Sequence, residues 1–65
     1  MSFKPEFQIS GNWYDNAERY ATADEAEGSA SARFAVWTMP SAYRVTESPD
    51  PVNYHRTDGI STHVG

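Results

Sequence analysis

The sequence predicts a small α+β domain of ββαβ order, in which one helix packs on one face of a three-stranded antiparallel sheet. Two observations lead to this fold class. A helical pattern with recognisable start and stop signals occupies the middle of the chain, and segments of alternating polar and apolar residues lie on both sides of it. With 65 residues and nine aromatic side chains, the chain has room for one domain whose small core is built mainly from rings.

The predicted first strand covers residues 6–10, where polar and apolar residues alternate so that Phe7 and Ile9 face inward. The glycine-asparagine pair at 11–12 supplies the turn that follows, because both residue types readily adopt positive φ. Residues 13–16 then form a loop or the wide end of a hairpin.

The predicted second strand runs over 17–21, with Tyr20 facing inward. Alanine and glutamate are poor strand formers. A short helical turn leading into the main helix is therefore the alternative for this segment.

A helix is predicted from Ala23 to about Thr38. Thr22 is a good N-cap, and Glu25 stands three residues later, which is the spacing of a capping box. Pro40 disfavours helical geometry in the residue before it and ends the element. The apolar stripe of this helix recurs at spacings of four, four and three residues, at Ala26, Ala30, Phe34 and Trp37.

A third strand is predicted over 42–46, with Tyr43 and Val45 on one face. The segment 48–51 contains two prolines and ends this strand. The three strands and the helix together account for the predicted two-layer domain.

The segment after the third strand is mostly polar. Val52 and Tyr54 are expected to fold back against the core, so the domain covers residues 1–57. Residues 58–65 are expected to form a flexible C-terminal tail.

Composition disfavours several classes of function. Nine acidic and five basic side chains give a net charge of −4, which disfavours direct binding to nucleic-acid phosphates and favours encounters with basic protein surfaces. No apolar run approaches membrane-spanning length, and no export signal or cysteine is present. The sequence therefore predicts a cytoplasmic protein that is a monomer and binds neither membranes nor nucleic acid directly.

Enzymatic chemistry is not expected from this sequence. Both histidines, His55 and His63, lie in or beside the predicted tail, which is a poor platform for preorganised catalytic groups. The chain has no glycine-rich phosphate loop, no nucleophile elbow and no metal-ligand cluster. We therefore expect no catalytic residue, no metal site and no cofactor.

The candidate binding residues are carboxylates. Those at the predicted helix start also suit the positive end of the helix dipole, so good helix-start chemistry and a solvated polar face are the alternative explanations. If the helix start and the end of the third strand share one edge, the same side chains form an acidic surface for a basic partner. The predicted partner-binding residues are Asp15, Glu18, Asp24, Glu25, Glu27, Glu47 and Asp50.

Two aromatic residues add a possible apolar anchor. Trp13 and Tyr14 lie in the predicted loop, and exposed aromatic side chains are enriched at protein interfaces. In a chain this short they could equally cover the core.

A set of packing and turn residues is spread over residues 10–55. These residues are Trp13-Tyr14, Asn16-Ala17, Arg19-Tyr20-Ala21-Thr22, Glu25-Ala26, Trp37-Thr38, Tyr43-Arg44-Val45 and Asp50-Pro51-Val52-Asn53-Tyr54. In them the chain resembles a group of very small proteins of phages and bacterial mobile elements, and it is similar to an anti-CRISPR inhibitor directed at type I-C systems. The matching residues are specific for a fold and carry no chemistry.

The resemblance implies an anti-CRISPR function for this chain. A surveillance complex holds target DNA in basic grooves, and a compact acidic protein can occupy such a groove as a DNA mimic. The expected partner is thus one or more protein subunits of a type I-C surveillance complex, and the expected effect is a block of target-DNA binding. The alternative is a small acidic accessory protein with an unrelated protein partner.

Overall fold

The computed structural model describes residues 1–64, which form five strands and one helix. The elements are β1 (Ser2–Ile9), β2 (Asn12–Asp15), α1 (Ala23–Val36), β3 (Ala42–Ser48), β4 (Tyr54–Thr57) and β5 (Ile60–His63). The first three strands make an antiparallel sheet in the order β2-β1-β3, and β4 pairs with β5. The predicted α+β class with a three-stranded antiparallel sheet and one helix is confirmed, and the β4–β5 hairpin adds a second small sheet.

The central strand β1 begins earlier than predicted and runs through Pro5. A proline in a central strand is unusual because it has no N–H for the ladder. Phe3 exchanges both of its backbone hydrogen bonds with Tyr20, so every second residue from Phe3 directs its backbone groups away from β3. The missing N–H of Pro5 therefore points to the gap between Tyr20 and the last residue of β2, and no ladder bond to β3 is lost.

The second strand is β2 at residues 12–15, so the prediction of a strand at 17–21 and of a loop at 13–16 was wrong. The turn before it is formed by Ser10 and Gly11, with φ of 52° and 83°. Positive φ at both central residues is the geometry of the type I′ turn, which matches the twist of paired strands. This two-residue turn brings the chain straight back along β1, and the strand therefore starts at Asn12.

Tyr20 joins the two sheets, although the segment around it is neither a strand nor a helical turn. It forms an antiparallel bridge with Phe3 and a parallel bridge with Tyr54. Its side chain is fully buried, as the sequence predicted, and its ring lies 5.9 Å from that of Tyr54. Tyr20 therefore lies between the start of β1 and the start of β4, and it joins the β4–β5 hairpin to the three-stranded sheet.

Helix α1 begins and packs as its sequence predicts. Thr22 is the N-cap, and its hydroxyl accepts from the Glu25 N–H at 3.2 Å. Ala26 and Ala30 are fully buried, and the helix ends at Val36, with Trp37 as C-cap. Because these side chains are small, the helix lies close to the sheet.

The core lies between α1 and one face of the three-stranded sheet. The ring of Phe7 packs edge-on against Trp37 at 5.3 Å, and that of Phe34 lies 5.2 Å from Tyr43. The strand register places Val45 on the same face as Tyr43. The opposite face of the sheet carries mostly polar and charged side chains, together with Trp13 and Ala42.

The C-terminal segment contains a strand that the sequence analysis does not predict. Residues 60–63 form β5, which pairs with β4 through a turn at Asp58 and Gly59, with φ of 54° and 78°. The structure thus places residues 58–63 of the expected flexible tail in a hairpin, while the flexibility itself stays a prediction. Gly65, the last residue of that expected tail, lies outside the described residues.

Candidate functional site, a group of unpaired carboxylates

Asp15 and Asp50 are held by cations. Arg19 lies between them, with its Nη2 3.2 Å from Asp15 Oδ2 and its Nε 3.0 Å from Asp50 Oδ2. Lys4 Nζ also lies 2.9 Å from Asp15. These two predicted binding residues therefore fasten β1, β2 and the loop after β3 to one another.

Hydrogen bonds from the cations beside them lower the pKa of the Asp15 and Asp50 carboxyls. For Asp15 the main cause is the bond from Lys4, and for Asp50 it is the bond from Arg19. In return, the bond to Asp15 raises the pKa of Lys4. Their charges are thus already partnered inside the protein.

Glu18 is mostly buried, and its carboxylate is held by hydrogen bonds and an ion pair within the protein. Its Oε1 accepts hydrogen bonds from Tyr20 Oη at 3.0 Å and from Ser29 Oγ at 2.9 Å. Its Oε2 lies 3.1 Å from Arg33 Nη2. The side chain is only 14% exposed, so it offers little carboxylate surface to a partner.

Glu25 joins the start of α1 to the β4–β5 hairpin. Its Oε1 accepts from the Thr22 hydroxyl at 3.0 Å, and its Oε2 accepts from the Arg56 N–H at 2.9 Å. His55 Nδ1 lies 3.1 Å from the same Oε2. The Arg56 N–H is the main cause that lowers the pKa of Glu25.

The remaining predicted residues, Asp24, Glu27 and Glu47, are exposed. Across residues 1–64, these three and Asp58 are the carboxylates that form no salt bridge. Salt bridges therefore leave four of the nine carboxylates without a cationic side chain beside them.

Asp24, Glu27 and Glu47 lie on the β3 side of the molecule, and we call them the unpaired carboxylates. Glu27 Oε1 accepts from Tyr43 Oη at 3.0 Å, which places Glu27 over β3. Asp24 precedes it by one helical turn, and Glu47 lies on the same face of β3 as Tyr43. The structure brings these three of the seven predicted residues to one side.

Asp58 was not predicted as a binding residue. It lies in the turn between β4 and β5, on the far side of β1 from β3. The Asp58-Gly59 pair is a strong hairpin signal that the sequence already contained. Its position makes Asp58 a natural control for charge effects.

The two predicted aromatic anchors, Trp13 and Tyr14, lie on opposite faces of the sheet. Register places Tyr14 opposite Phe7 on the helix face, where it is 53% exposed, and Trp13 opposite Gln8 on the other face. The guanidinium of Arg44 lies 4.1 Å from the centre of the Trp13 ring, and Arg44 Nε lies 2.7 Å from Glu6 Oε1. The Trp13 ring is therefore largely covered within the protein.

Few side chains suited to catalysis lie around His55 or line the pocket at the end of β3. His55 contacts Glu25 through Nδ1 and Thr57 Oγ1 through Nε2, the latter at 2.6 Å. A shallow pocket at the end of β3 is lined by Met1, Glu47, Ser48 and Pro49. In the part of the chain that the structure describes, no group of three or more His, Asp or Glu side chains is placed to hold a metal ion.

Comparisons place no known protein beside this chain. No protein-family model, curated protein or solved structure matched it. Within residues 1–64, α1 is the one helix, and it is too short and too polar to cross a membrane. The site is therefore interpreted from its own charges and geometry.

Proposed function

We propose that this protein is a non-enzymatic binding protein whose unpaired carboxylates Asp24, Glu27 and Glu47 engage a basic protein surface. The proposal rests on the difference between the carboxylates that are held within the protein and those that form no salt bridge. Five of the nine carboxylates are held by cations or by His55, whereas these three lie exposed on one side. Exposed carboxylates that form no internal salt bridge are available to lysine and arginine side chains of another protein.

The partner in this proposal is a type I-C CRISPR surveillance complex in the bacterial cytoplasm. Its target DNA is held in basic grooves, so an acidic protein of this size can compete for the same positive side chains. The link to this particular complex comes from the sequence resemblance, and the unpaired carboxylates support the acidic mode of binding. In this proposal the protein acts as a DNA-mimic inhibitor and needs no cofactor.

The test is a pull-down of purified type I-C surveillance complex, with and without target DNA. Wild-type protein is expected to bind, to be displaced by target DNA, and to lose affinity as salt rises, because exposed charges are screened beyond about 8 Å at physiological ionic strength. The triple variant Asp24→Asn/Glu27→Gln/Glu47→Gln is expected to bind at least about tenfold more weakly. Failure of the wild type to bind would exclude this partner and favour an unrelated acidic accessory protein.

A matched pair of variants separates position from net charge. Glu47→Gln and Asp58→Asn each remove one negative charge from an exposed side chain that has no salt bridge. Glu47→Gln is expected to weaken binding several-fold, whereas Asp58→Asn should leave it unchanged. Equal effects of the two variants would mean that total charge, and not the unpaired carboxylates, governs binding.

A further inference from the structure

The outer edge of β3 has unsatisfied backbone groups whose identity follows from the hydrogen-bond register. Phe3 uses its N–H and C=O to bond Tyr20, so the even-numbered residues of β1 bond β3. Their partners on β3 are the even-numbered residues from Ala42 to Ser48. Tyr43, Val45 and Glu47 therefore direct their N–H and C=O groups outward from the sheet.

This edge is long and lacks two of the features that commonly protect sheet edges, a proline and a bulge. β3 has seven residues in unbroken register with β1, with neither a proline nor a bulge. β2 and β5 have four residues each. Among the described residues, β1 is the one strand that pairs with β3. A regular uncovered edge of this length is a template for pairing with another strand.

The charges beside the edge differ between its two faces. On the α1 face lie Glu47 and, next to Tyr43, Glu27. On the opposite face Arg44 is occupied by Glu6 and Trp13. A strand added here would therefore have carboxylates beside its side chains on one face, and a cation that is already paired beside those on the other.

These charges argue against a second copy of the chain as the added strand. Antiparallel pairing centred on Val45 uses all the outward backbone groups, but it sets Glu47 opposite Tyr43 of the second copy. That tyrosine bonds its own Glu27, so carboxylates of the two copies would meet twice across the axis. Like charges directly opposite each other destabilise a strand pair.

We infer that β3 pairs with an extended segment of the partner protein that carries lysine or arginine on the face next to α1 and uncharged residues on the other face. The segment adds a fourth strand to the sheet β2-β1-β3. Backbone bonds to Tyr43, Val45 and Glu47 hold it, and Glu27 and Glu47 select its basic side chains. This inference rests on the proposed function, because it specifies how the unpaired carboxylates contact their partner.

A short peptide tests the pairing without any assumption about the partner's identity. The probe is a seven-residue peptide, Thr-Lys-Thr-Val-Thr-Lys-Thr, with acetylated and amidated ends. In antiparallel pairing its lysines align with Tyr43 and Glu47 when its valine lies opposite Val45, and the N–H of that valine then bonds the C=O of Val45. One control peptide has glutamate in place of both lysines, and the other is N-methylated at the central valine.

The readout is amide hydrogen exchange and amide chemical shift in the intact protein. The lysine peptide is expected to slow exchange at Tyr43, Val45 and Glu47 by about tenfold at saturation, and to leave the amides of β5 unchanged. The glutamate peptide and the N-methylated peptide should each bind at least about tenfold more weakly. Equal binding of the N-methylated peptide would overturn the pairing.

A protein variant gives a second test. Val45→Pro removes one outward N–H and leaves the ladder to β1 intact, so it should fold and lose peptide binding. The N-methylated peptide keeps the test valid if this variant unfolds. Protection of the same three amides in the absence of peptide, together with a dimer in sedimentation, would overturn the inference in favour of a second copy.

Two results distinguish a failure of the strand pairing from a failure of the proposed function. If wild-type protein binds the surveillance complex and Val45→Pro, shown to fold by circular dichroism, binds it equally well, the proposed function holds and the strand pairing is wrong. If the complex is not bound but the lysine peptide protects the β3 amides, the named partner is wrong and the basic strand site stands.

Discussion

Four residues with positive φ set the two hairpins of this protein. Ser10 and Gly11 form one turn and Asp58 and Gly59 the other, and in both turns the two central φ values are positive. Glycine adopts these values without steric cost, and aspartate tolerates them better than most residues. The Asp-Gly turn explains at the residue scale why the chain after residue 57 continues as a paired strand.

Glu25 makes a local contact at the start of the helix and a distant contact with β4. Its spacing from Thr22 is that of a capping box, and its carboxylate also accepts from the Arg56 N–H. The helix start is thereby tied to β4 through a side chain that a local pattern assigns to the helix alone. This explains why Glu25 is only 16% exposed despite its position in the first turn.

The stability of the protein should fall in acid partly through Glu25. Hydrogen bonds lower its pKa in the folded protein from the ordinary value of 4.5, so it binds protons less tightly when folded. Its contribution is therefore present above about pH 4.5 and is lost as pH falls through the lower folded-state pKa. Glu25→Gln should be less stable at pH 7 and should lose less stability between pH 5 and pH 3, as measured by urea unfolding.

The neighbouring Asp24 provides the control for this prediction. Asp24→Asn changes an exposed carboxylate in the same helical turn that forms no salt bridge. It should lower the unfolding free energy at pH 7 by less than Glu25→Gln does, because it breaks no bond to β4. Identical slopes for the wild type and Glu25→Gln would show that the bond to Arg56 does not contribute.

At the scale of elements, the hairpin β4–β5 is attached through a hydrogen-bonded chain of side chains. Arg56 Nη1 donates to Ser61 Oγ at 2.8 Å, and Ser61 Oγ lies 2.9 Å from Tyr20 Oη. Tyr20 Oη in turn lies 3.0 Å from Glu18 Oε1. A consistent assignment is that Ser61 donates to Tyr20 and Tyr20 donates to Glu18. Burial is the main cause that raises the pKa of Tyr20, which keeps this hydroxyl a donor.

Tyr20→Phe should weaken this attachment. The variant keeps the buried ring but removes the hydroxyl between Glu18 and Ser61, which should cost about 1–2 kcal/mol of unfolding free energy. Amide exchange in β4 and β5 should increase more than exchange in β1. Tyr14→Phe, at a tyrosine that is 53% exposed, is the matched control and should change stability by less than about 0.5 kcal/mol. A loss of stability equal to that of Tyr14→Phe would contradict this role of Tyr20.

At the scale of the whole molecule, the charges fall into two classes. Lys4, Arg19, Arg33 and Arg44 all lie in salt bridges, and the carboxylates that they contact link distant parts of the chain. The unpaired carboxylates form no salt bridge, and among them Glu27 accepts a hydrogen bond from Tyr43. Net charge alone therefore overstates the acidic surface, since three of the four carboxylates outside salt bridges lie on the β3 side and Asp58 lies apart from them.

The two classes should respond differently to neutralisation. Asp15→Asn/Asp50→Asn removes both carboxylates from Arg19 and should lower the melting temperature. Glu27→Gln/Glu47→Gln removes the same formal charge from carboxylates outside salt bridges and should leave the melting temperature unchanged or slightly higher at low salt. Thermal unfolding of the two variants at low and high salt measures the difference, and equal losses would show that the unpaired carboxylates also stabilise the fold.

Elements with strong local signals were predicted well. Helix α1 has an N-cap, an apolar stripe and a following proline, and its start at Ala23 is confirmed. The second strand was assigned to the wrong residues, because Trp13 and Tyr14 were interpreted as a loop. A two-residue turn at Ser10 and Gly11 forces pairing to resume at Asn12, and a serine with positive φ is not an obvious turn signal.

The candidate site was predicted only in part. Carboxylates were chosen by residue type, near the helix start and after the third strand, and among them Asp24, Glu27 and Glu47 are exposed and form no salt bridge. The same criterion included Glu18 and Glu25, whose partners come from other elements. The outward backbone groups of β3 could not be predicted, because they depend on the bonds between Phe3 and Tyr20.

The sequence by itself determined the α+β class, the start of the helix and the net charge, since each of these depends on composition or on contacts between residues close in the chain. Only the tertiary structure decided which charges remain available. Arg19 and Asp50 are separated by 31 residues, and Arg44 and Glu6 by 38, so no local pattern reveals that they are paired. The free edge of β3 has the same origin, because it depends on the order of strands that meet only when the chain is folded.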